Sequence, residues 1–488
     1  MELDALIRAL APSDVVGRLG PWSGRIEISD VTYDSRRVTE GALFFCVRGA
    51  RADGHDLAPA AVAAGAAALV VERPLDVAVP QLVVEDVRAA MAVGADAFFD
   101  APTQQLQVAG VTGTNGKTTT AFLLRSILEA AGRRTGLVGT VEWVIGGESR
   151  SAPHTTPEAI DLQRLLREMV DSGDSAVVLE ASSHGSHFRR LDRVRFDALV
   201  FTNLTQDHLD LHADMEDYFQ AKRRLFTGVA PVPAAVNVGD PYGRRLAEEL
   251  EGAHRAPLVT FGLRPEAQVR ADELDVGRHG SRFTAAGIDI ETPLLGVFNV
   301  ENVLGTVAAG LLLDLSDDEI AEGIRSVPGV PGRFEAVDEG QRFAVVVDYA
   351  HTPDALDTVL QAARDLAPGR VIVVFGAGGD RDRDKRRAMG QIARARADHV
   401  VVTSDNPRSE APLAIIEEIA QGAGTEIEID PDRRSAIARA IGAAQPDDVV
   451  VIAGKGHEQG QEVAGVVRPF DDREVVRLAL RAIRTSRA

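Results

Sequence analysis

Apolar residues along this chain fall into short runs separated by polar turns, and the texture of the runs changes by region. Between residues 1 and 102 they are brief: 26–31, 43–47, 69–71 and 82–84 read as strands, with an alanine-rich helical stretch at 60–66. From 103 to 332 the order is strand, turn, helix: 106–111 is a strand-like run. After a glycine turn, Leu123, Leu124, Ile127, Leu128 and Ala131 recur at helical spacing. The runs 176–179 and 198–201 are apolar throughout and give way at once to polar residues. Buried parallel strands that carry ligands at their carboxyl ends have this pattern. The Pro/Gly-rich stretch 327–332 reads as a linker. Beyond it, 343–347, 371–375, 400–402 and 449–453 are strands that each end in a polar cluster, with helical patterns between them. The expectation is an α/β protein of three domains, 1–102, 103–332 and 333–488. The first is a small α/β unit, the second has a mostly parallel sheet, and the third is doubly wound and Rossmann-like.

Length and composition narrow the functional classes. A chain of 488 residues with 45% hydrophobic and 26% charged residues is folded and multidomain. Its net charge of -20 argues against nucleic-acid or anionic-membrane partners, so anionic ligands must be caught by local donors. The one cysteine, Cys46, excludes an intramolecular disulfide and is expected to be buried and inert. The N-terminus lacks the basic-then-apolar order of a signal peptide, and no apolar run approaches the ~20 residues that span a bilayer. A cytoplasmic location without membrane insertion is expected.

Basic residues number 53, of which only four are lysines: Lys117, Lys222, Lys385 and Lys455. Arginine is a wide planar fork and lysine a compact point charge, so scarce lysines mark places where an amine is hard to replace. Lys117 lies in Gly110-Val-Thr-Gly-Thr-Asn-Gly-Lys-Thr-Thr-Thr120, between a strand and a helix. Backbone N–H groups of such a turn cradle phosphates, the lysine neutralises charge, and the Thr118 hydroxyl can reach Mg²⁺. Glu180 closes the strand 176–180, where a metal-binding acid of a nucleotide site would sit. His208 and His212 are four apart, but no H-E-x-x-H supports a zinc protease. Lys222 is followed by two arginines, which suggests that position 222 needs an amine; a neutral amine can add CO₂ to form a carbamate. In the last third Asp380-Arg381, Asp405-Asn-Pro-Arg408 and Gly454-Lys-Gly-His-Glu458 follow strands, and together they suit a small zwitterion. Gly376-Ala-Gly-Gly-Asp-Arg381 fails the dinucleotide-binding spacing, and no N-K-x-D guanine motif is present.

Taken in order, these motifs resemble the Mur ligase family, the ATP-dependent amino-acid-adding enzymes of peptidoglycan synthesis. The likeness also covers Asp34-Ser-Arg-Arg-Val38, Asp53-Gly-His55, Thr155-Thr-Pro157, Glu180-Ala-Ser-Ser-His184, Asp207-His-Leu-Asp210, Gly296 to Asn302, Gly332-Arg-Phe-Glu335 and Asp348 to Pro353. The resemblance implies that Ser35 holds a UDP-sugar in the first domain. It implies a central domain of the P-loop ATPase kind, with ATP at Gly113, Thr114, Asn115, Gly116, Lys117, Thr118 and Thr119, and Asn302, Arg333 and Asp348 around the nucleotide. Mg²⁺ would lie among Thr118, Glu180, His208 and Lys222, the last as a carbamate, and Lys117, Glu180, His208 and Lys222 would be catalytic. Thr155, Thr156, Ser182 and Arg190 match positions that hold the muramoyl dipeptide of UDP-MurNAc-L-Ala-D-Glu. Phe188, His154 and Gln206 depart from the family's usual glutamine, asparagine and arginine. The third substrate is argued from charge. Arg408 can pair a distal carboxylate, Asn406 can assist and Glu458 can hold an ammonium, which suits diaminopimelate better than lysine. Arg381, Asp405 and Gly454 complete that expected site, and the chain is expected to be a monomer. A folylpolyglutamate synthase would lack the Asp34-Ser-Arg domain, a D-Ala-D-Ala-adding ligase the 405–408 cluster, and a degenerate nucleotide-binding homologue would be free to lose Lys222, Glu180 or His208.

Overall fold

The computed structural model describes residues 1–16, 26–49, 52–228, 231–253 and 256–487. Three large sheets follow one another along the chain. In the first the strand order is Asp14–Val16, Gln81–Val83, Ala68–Val71, Ala42–Phe45 and Asp30–Thr32, parallel except for the first pair. Successive residues of Ala42–Phe45 bury on opposite faces. Leu43 and Phe45 pack with Met91 of helix Val87–Phe98, while Phe44 and Cys46 meet Ala58 and Ala61 of helix Ala58–Ala63. Burial on both faces is why this strand reads as an unbroken apolar run. Cys46 is fully buried, and burial pushes its thiol up to about 12.

The second sheet runs Leu258–Phe261, Ala234–Asn237, Ala198–Phe201, Gln107–Thr112, Ala176–Glu180, Thr135–Val138, Glu142–Ile145 and Glu148–Ser151. Its first six strands are parallel and the last two antiparallel, so it is mostly parallel as expected. Helices Lys117–Ala130 and Val297–Leu312 share one face, packing Leu124 and Ile127 against Val303 and Val307. The third sheet runs Glu335–Ala336, Ala344–Asp348, Val449–Ala453, Val371–Phe375, His399–Val402 and Glu428–Ile429, parallel but for its first strand, with helices on both faces. The carboxyl ends of its central strands lie side by side, Asp348 paired with Ala453 and Phe375 with Val402. In an open α/β sheet this edge is where ligands bind.

The stretch 327–332 is packed rather than loose. Val327 and Val330 are 6% and 1% exposed, and Gly332, at φ 64°, lies so close to Gly456 and His457 that a side chain would collide with their backbone. The glycine sits there because two backbones touch, which composition alone cannot distinguish from a flexible linker.

A buried ion pair closes the third layer. Arg433 Nε and Nη2 meet the Asp472 carboxylate at 2.8 and 2.6 Å, and Nη2 also donates to Ala453 O at 2.9 Å. Both residues are within 1% of complete burial. The pair fastens helix Asp472–Arg487 to the strand end that leads into Gly454. Asp472→Ala leaves a buried guanidinium uncompensated and is expected to cost about 3–5 kcal/mol in urea unfolding. A loss below about 1 kcal/mol, the range of an exposed pair, would show that the guanidinium finds water.

Candidate active site

Strand Gln107–Thr112 ends in a turn whose Gly113 and Gly116 have φ of 150° and 85°, and helix Lys117–Ala130 begins at once. Both positions disfavour any side chain. A side chain at 113 would strike Thr202 Oγ1 and one at 116 would strike Asn302 Oδ1. The turn is clasped by the segment after strand Ala198–Phe201: Thr202 Oγ1 donates to Asn115 O at 2.6 Å, and Asn203 Oδ1 accepts from Asn115 N at 2.9 Å. Lys117 Nζ curls back onto its own loop, donating to Gly113 O at 3.1 Å and Thr114 O at 2.7 Å. Burial lowers its pKa, opposed by the charges of Glu180 and Asp207.

Glu180 is 1% exposed and fully engaged. Its carboxylate accepts from Thr118 Oγ1 (3.2 Å), Thr140 Oγ1 (2.9 Å) and Thr140 N (2.8 Å). Arg333 Nη2 donates to Thr118 Oγ1 at 3.1 Å, bringing the third layer onto the loop. The Thr118 and Glu180 oxygens suit a hard cation, which takes one or two protein oxygens and fills its shell with water and phosphate. The His208 ring offers only nitrogen, and burial pushes it down to about 4. No group of three or more His, Cys, Asp or Glu close enough to hold a metal occurs among the described residues. Of the four residues expected around Mg²⁺, Thr118 and Glu180 offer oxygen, and Lys222 would offer it only as a carbamate.

Loop, Glu180, His208, Thr155, Ser182, Asn302, Arg333 and Asp348 all line one cleft of about 430 Å³ between the second and third sheets. Asp348 accepts from the N–H groups of Phe334 (2.6 Å) and Ala350 (2.7 Å), and burial raises its pKa to about 6. Lys222 lies just behind the loop at 1% exposure. Its Nζ donates to Gly113 O at 2.8 Å and sits 4.7 Å from the centre of the Tyr218 ring. Burial, then the nearby Lys117 charge, pushes its amine far below the usual lysine range. Thr156 and Arg190 stand behind the cleft wall: Thr156 Oγ1 accepts from Ser182 Oγ at 2.9 Å, and Arg190 Nη1 donates to Thr156 O at 2.8 Å. Ser35 is elsewhere, in the short helical turn Ser35–Arg37 of the first layer. His55, from the same expected region, is a structural histidine. Its Nδ1 lies 2.6 Å from the Asp53 carboxylate and its Nε2 accepts from Glu72 N.

A second cluster forms at the carboxyl edge of the third sheet. Lys455 Nζ, fully buried, donates to Asn406 Oδ1 (3.0 Å) and Glu458 Oε2 (2.9 Å), and Asn406 Nδ2 donates to the same Glu458 oxygen at 2.7 Å. Gly454, at φ 118°, leaves room for the Asp405 carboxylate. Arg408 adopts φ 53°, pinned by Arg408 N to Glu462 O and Ala464 N to Arg408 O; its Nη1 donates to Gly379 O at 2.6 Å. Arg381, by contrast, is exposed, and no contact draws it to Asn406 or Glu458. The cluster adjoins the cleft through His457, whose ring is 5.2 Å from that of Tyr349.

Chain segments match three family domains: residues 27–99 the Mur ligase family catalytic domain, 111–310 the Mur ligase middle domain, and 332–456 the Mur ligase glutamate ligase domain. The UDP-N-acetylmuramoyl-L-alanyl-D-glutamate--2,6-diaminopimelate ligase of Geobacillus kaustophilus is 47% identical over 94% of this chain and 96% of its own length. The chain belongs to the Mur ligase family. Its counterpart of the same name in Streptomyces coelicolor is 46% identical over 96% of this chain and 95% of that one. A solved structure of a UDP-N-acetylmuramoyl-L-alanyl-D-glutamate--2,6-diaminopimelate ligase superposes with a TM-score of 0.69 at 34% identity, covering 94% and 95% of the two chains. Folylpolyglutamate synthase of Mycobacterium tuberculosis shares the fold at 18% identity and TM-score 0.62, over 75% of this chain and 92% of its own.

Within this Mur ligase the cleft holds residues that sequence reasoning did not single out. Asp207 faces Lys117, and Tyr349 lies 4.6 Å beneath the Arg333 guanidinium. Asp354 Oδ2 accepts from Asn115 Nδ2 (3.0 Å) and Thr205 Oγ1 (2.8 Å), tying the third layer to the phosphate turn. Asp207 and Tyr349 lie inside motifs already noted, so weighing each polar residue there would have found them. Lys455 was flagged by the scarcity of lysine but not assigned to the site. Lys385, a partly buried lysine with no sequence role, is lowered by burial and opposed by the charges of Asp207 and Asp405.

Proposed function

We propose that this chain is an ATP-dependent, ADP-forming ligase that joins diaminopimelate to the D-glutamate γ-carboxylate of UDP-MurNAc-L-Ala-D-Glu, making the UDP-MurNAc-tripeptide of peptidoglycan. One observation carries the reading: the phosphate turn and its Lys117 share a cleft with Arg333 and Asp348 of the third layer, beside a built zwitterion cluster at Asn406, Arg408, Lys455 and Glu458. An ATPase without a second substrate has no use for that juxtaposition.

A carboxylate does not condense with an amine until one oxygen becomes a leaving group. The γ-carboxylate oxygen attacks the terminal phosphorus of ATP, ADP departs and an acyl-phosphate forms. The amine of diaminopimelate, having shed its proton, attacks the carbonyl carbon; the tetrahedral adduct collapses, the C–O bond to phosphate breaks, and inorganic phosphate leaves. Lys117 and the N–H groups of the turn act by positioning and by opposing charge on the transferred group. Mg²⁺ held at Thr118 and Glu180 would supply further positive charge. The depressed pKa of Lys222 supports a neutral amine able to take up CO₂, and Arg190 with Ser182 supports a place for the dipeptide.

We infer the same three-domain division, 1–102, 103–332 and 333–488, with the UDP-sugar at Ser35 in the first. We also infer that the protein acts as a cytoplasmic monomer. Among the described residues no helix is long and apolar enough to cross a membrane. The test is ADP release with each substrate omitted in turn. Release is expected to need both UDP-MurNAc-L-Ala-D-Glu and diaminopimelate; hydrolysis indifferent to both would overturn the ligase reading.

A further inference from the structure

Behind the wall formed by Thr156 and Ser182, two guanidinium groups from different layers converge on one aromatic ring and one carboxylate. Arg88 lies on helix Val87–Phe98 of the first layer, and Arg190 follows the short helix Ser183–His187 of the second. Their guanidinium carbons are 4.9 and 5.4 Å from the centre of the Phe188 ring. Each gives one donor to Glu158: Arg88 Nη1 to Oε2 at 3.2 Å and Arg190 Nη2 to Oε1 at 2.7 Å. The three charged side chains are 24%, 18% and 16% exposed, shielded but reachable.

The donors exceed what Glu158 uses. Neither fork is bidentate on it, although two parallel bonds are the favoured geometry between guanidinium and carboxylate. Arg190 Nε is buried without a partner, and Arg88 Nη2 has only a long contact, 3.5 Å, to Arg48 O. Two cations against one anion leave a unit of positive charge in a partly dry place, where it attracts another oxyanion. The Phe188 ring presents its face to both cations, and a glutamine there would offer none. Arg189 Nε also meets Asp86 at the start of the Arg88 helix, at 2.7 Å, so the two layers are tied beside this cluster. Through Thr156 the pair connects to Ser182, which lines the cleft.

We propose that Arg88 is a substrate-binding residue. With Arg190, and seated on Phe188, it clasps the carboxylate of the acceptor peptide that is not activated, the α-carboxylate of its D-glutamate. Glu158 is the internal carboxylate that holds the two arginines in register until the substrate engages their spare donors. The inference rests on the ligase reading and adds to it a contact across the first and second layers. The acceptor carries two kinds of oxyanion, carboxylate and pyrophosphate. Connection of the pair to the Thr156–Ser182 wall, beside the phosphate turn, favours the carboxylate.

The test is calorimetric binding of UDP-MurNAc-L-Ala-D-Glu to the full chain without ATP, beside two analogues: one with the α-carboxylate converted to carboxamide, and UDP-MurNAc without the dipeptide. Arg88→Met is expected to weaken the dipeptide substrate by about tenfold or more, the loss of a hydrogen bond between charged groups. It should bind UDP-MurNAc as the parent does and lose most discrimination between carboxylate and carboxamide, which a merely structural arginine would leave intact. Glu158→Gln is expected to bind the dipeptide substrate severalfold more tightly. Unchanged affinity in Arg88→Met, equal weakening toward UDP-MurNAc, or weaker binding in Glu158→Gln would each overturn the proposal. Arg88→Lys, which keeps charge without the fork, is expected to fall between and serves if the methionine variant does not fold. Product formation by the parent chain is measured alongside, so failure of the ligase reading is seen separately.

Discussion

Lys117→Met is expected to lower the rate of ADP formation by about a thousandfold, the range for removing one preorganised donor from developing charge. The KM for diaminopimelate should change little, because that substrate is expected at the third-sheet edge. The turn itself sets this expectation. Lys117 Nζ already spans Gly113 O and Thr114 O, so its ammonium rests on the carbonyls of its own turn. Exchange of two carbonyl partners for phosphate oxygens needs a small group turning on a thin chain. Lys117→Arg tests this, since it restores charge but brings a rigid fork into a turn where even a Cβ at Gly113 or Gly116 has no space. Arginine is therefore expected to recover less than a tenth of the parent rate. Steady-state ADP release decides it; an arginine variant within about twofold of the parent would mean that charge alone suffices.

What the chain revealed in advance followed from how far each signal is local. Buried parallel strands are near-continuous apolar runs, so 198–201, 371–375 and 449–453 coincide with strands end to end. Helices Leu3–Leu10 and Val87–Phe98 escaped notice: the first is short, and the second is alanine-rich with a weak contrast between its faces. The strands Glu148–Ser151 and Asp272–Gly277 are largely exposed and polar, which leaves no apolar period to read. The phosphate turn was legible because its chemistry lies within seven consecutive residues, 113–119. Arg88, Glu158, Phe188 and Arg190 form one cluster only after two layers meet, and nothing in their spacing announces it. Local pattern likewise could not show that the stretch 327–332 is packed, with Gly332 at a close backbone contact.

Diaminopimelate is expected to be preferred over lysine by at least about a thousandfold in kcat/KM, because a site built to bond a polar group rejects the analogue that lacks it. Lys455 and Asn406 already hold Glu458 in place, which leaves its carboxylate set to receive an ammonium. Arg408 is fixed at φ 53° by backbone bonds on both sides, and one donor is committed to Gly379 O. Its Nε also lies 3.7 Å from the Glu462 carboxylate, so the guanidinium is held beside the cluster with donors to spare. Lysine would satisfy Glu458 but leave those donors unpaired, whereas the distal carboxylate of diaminopimelate meets them as a charge-assisted pair. Arg408→Ala should therefore raise the KM for diaminopimelate by about a hundredfold or more, in line with the loss of one partner of a hydrogen-bonded charge pair. The KM values for ATP and the UDP-sugar should stay within about threefold, and the preference over lysine should fall to about tenfold or less. Initial rates with the two amino acids, parent against variant, provide the measurement. Equal use of both by the parent would remove the carboxylate from the recognition argument. An unchanged diaminopimelate KM in the variant would place its distal carboxylate elsewhere, with exposed Arg381 the next residue to substitute.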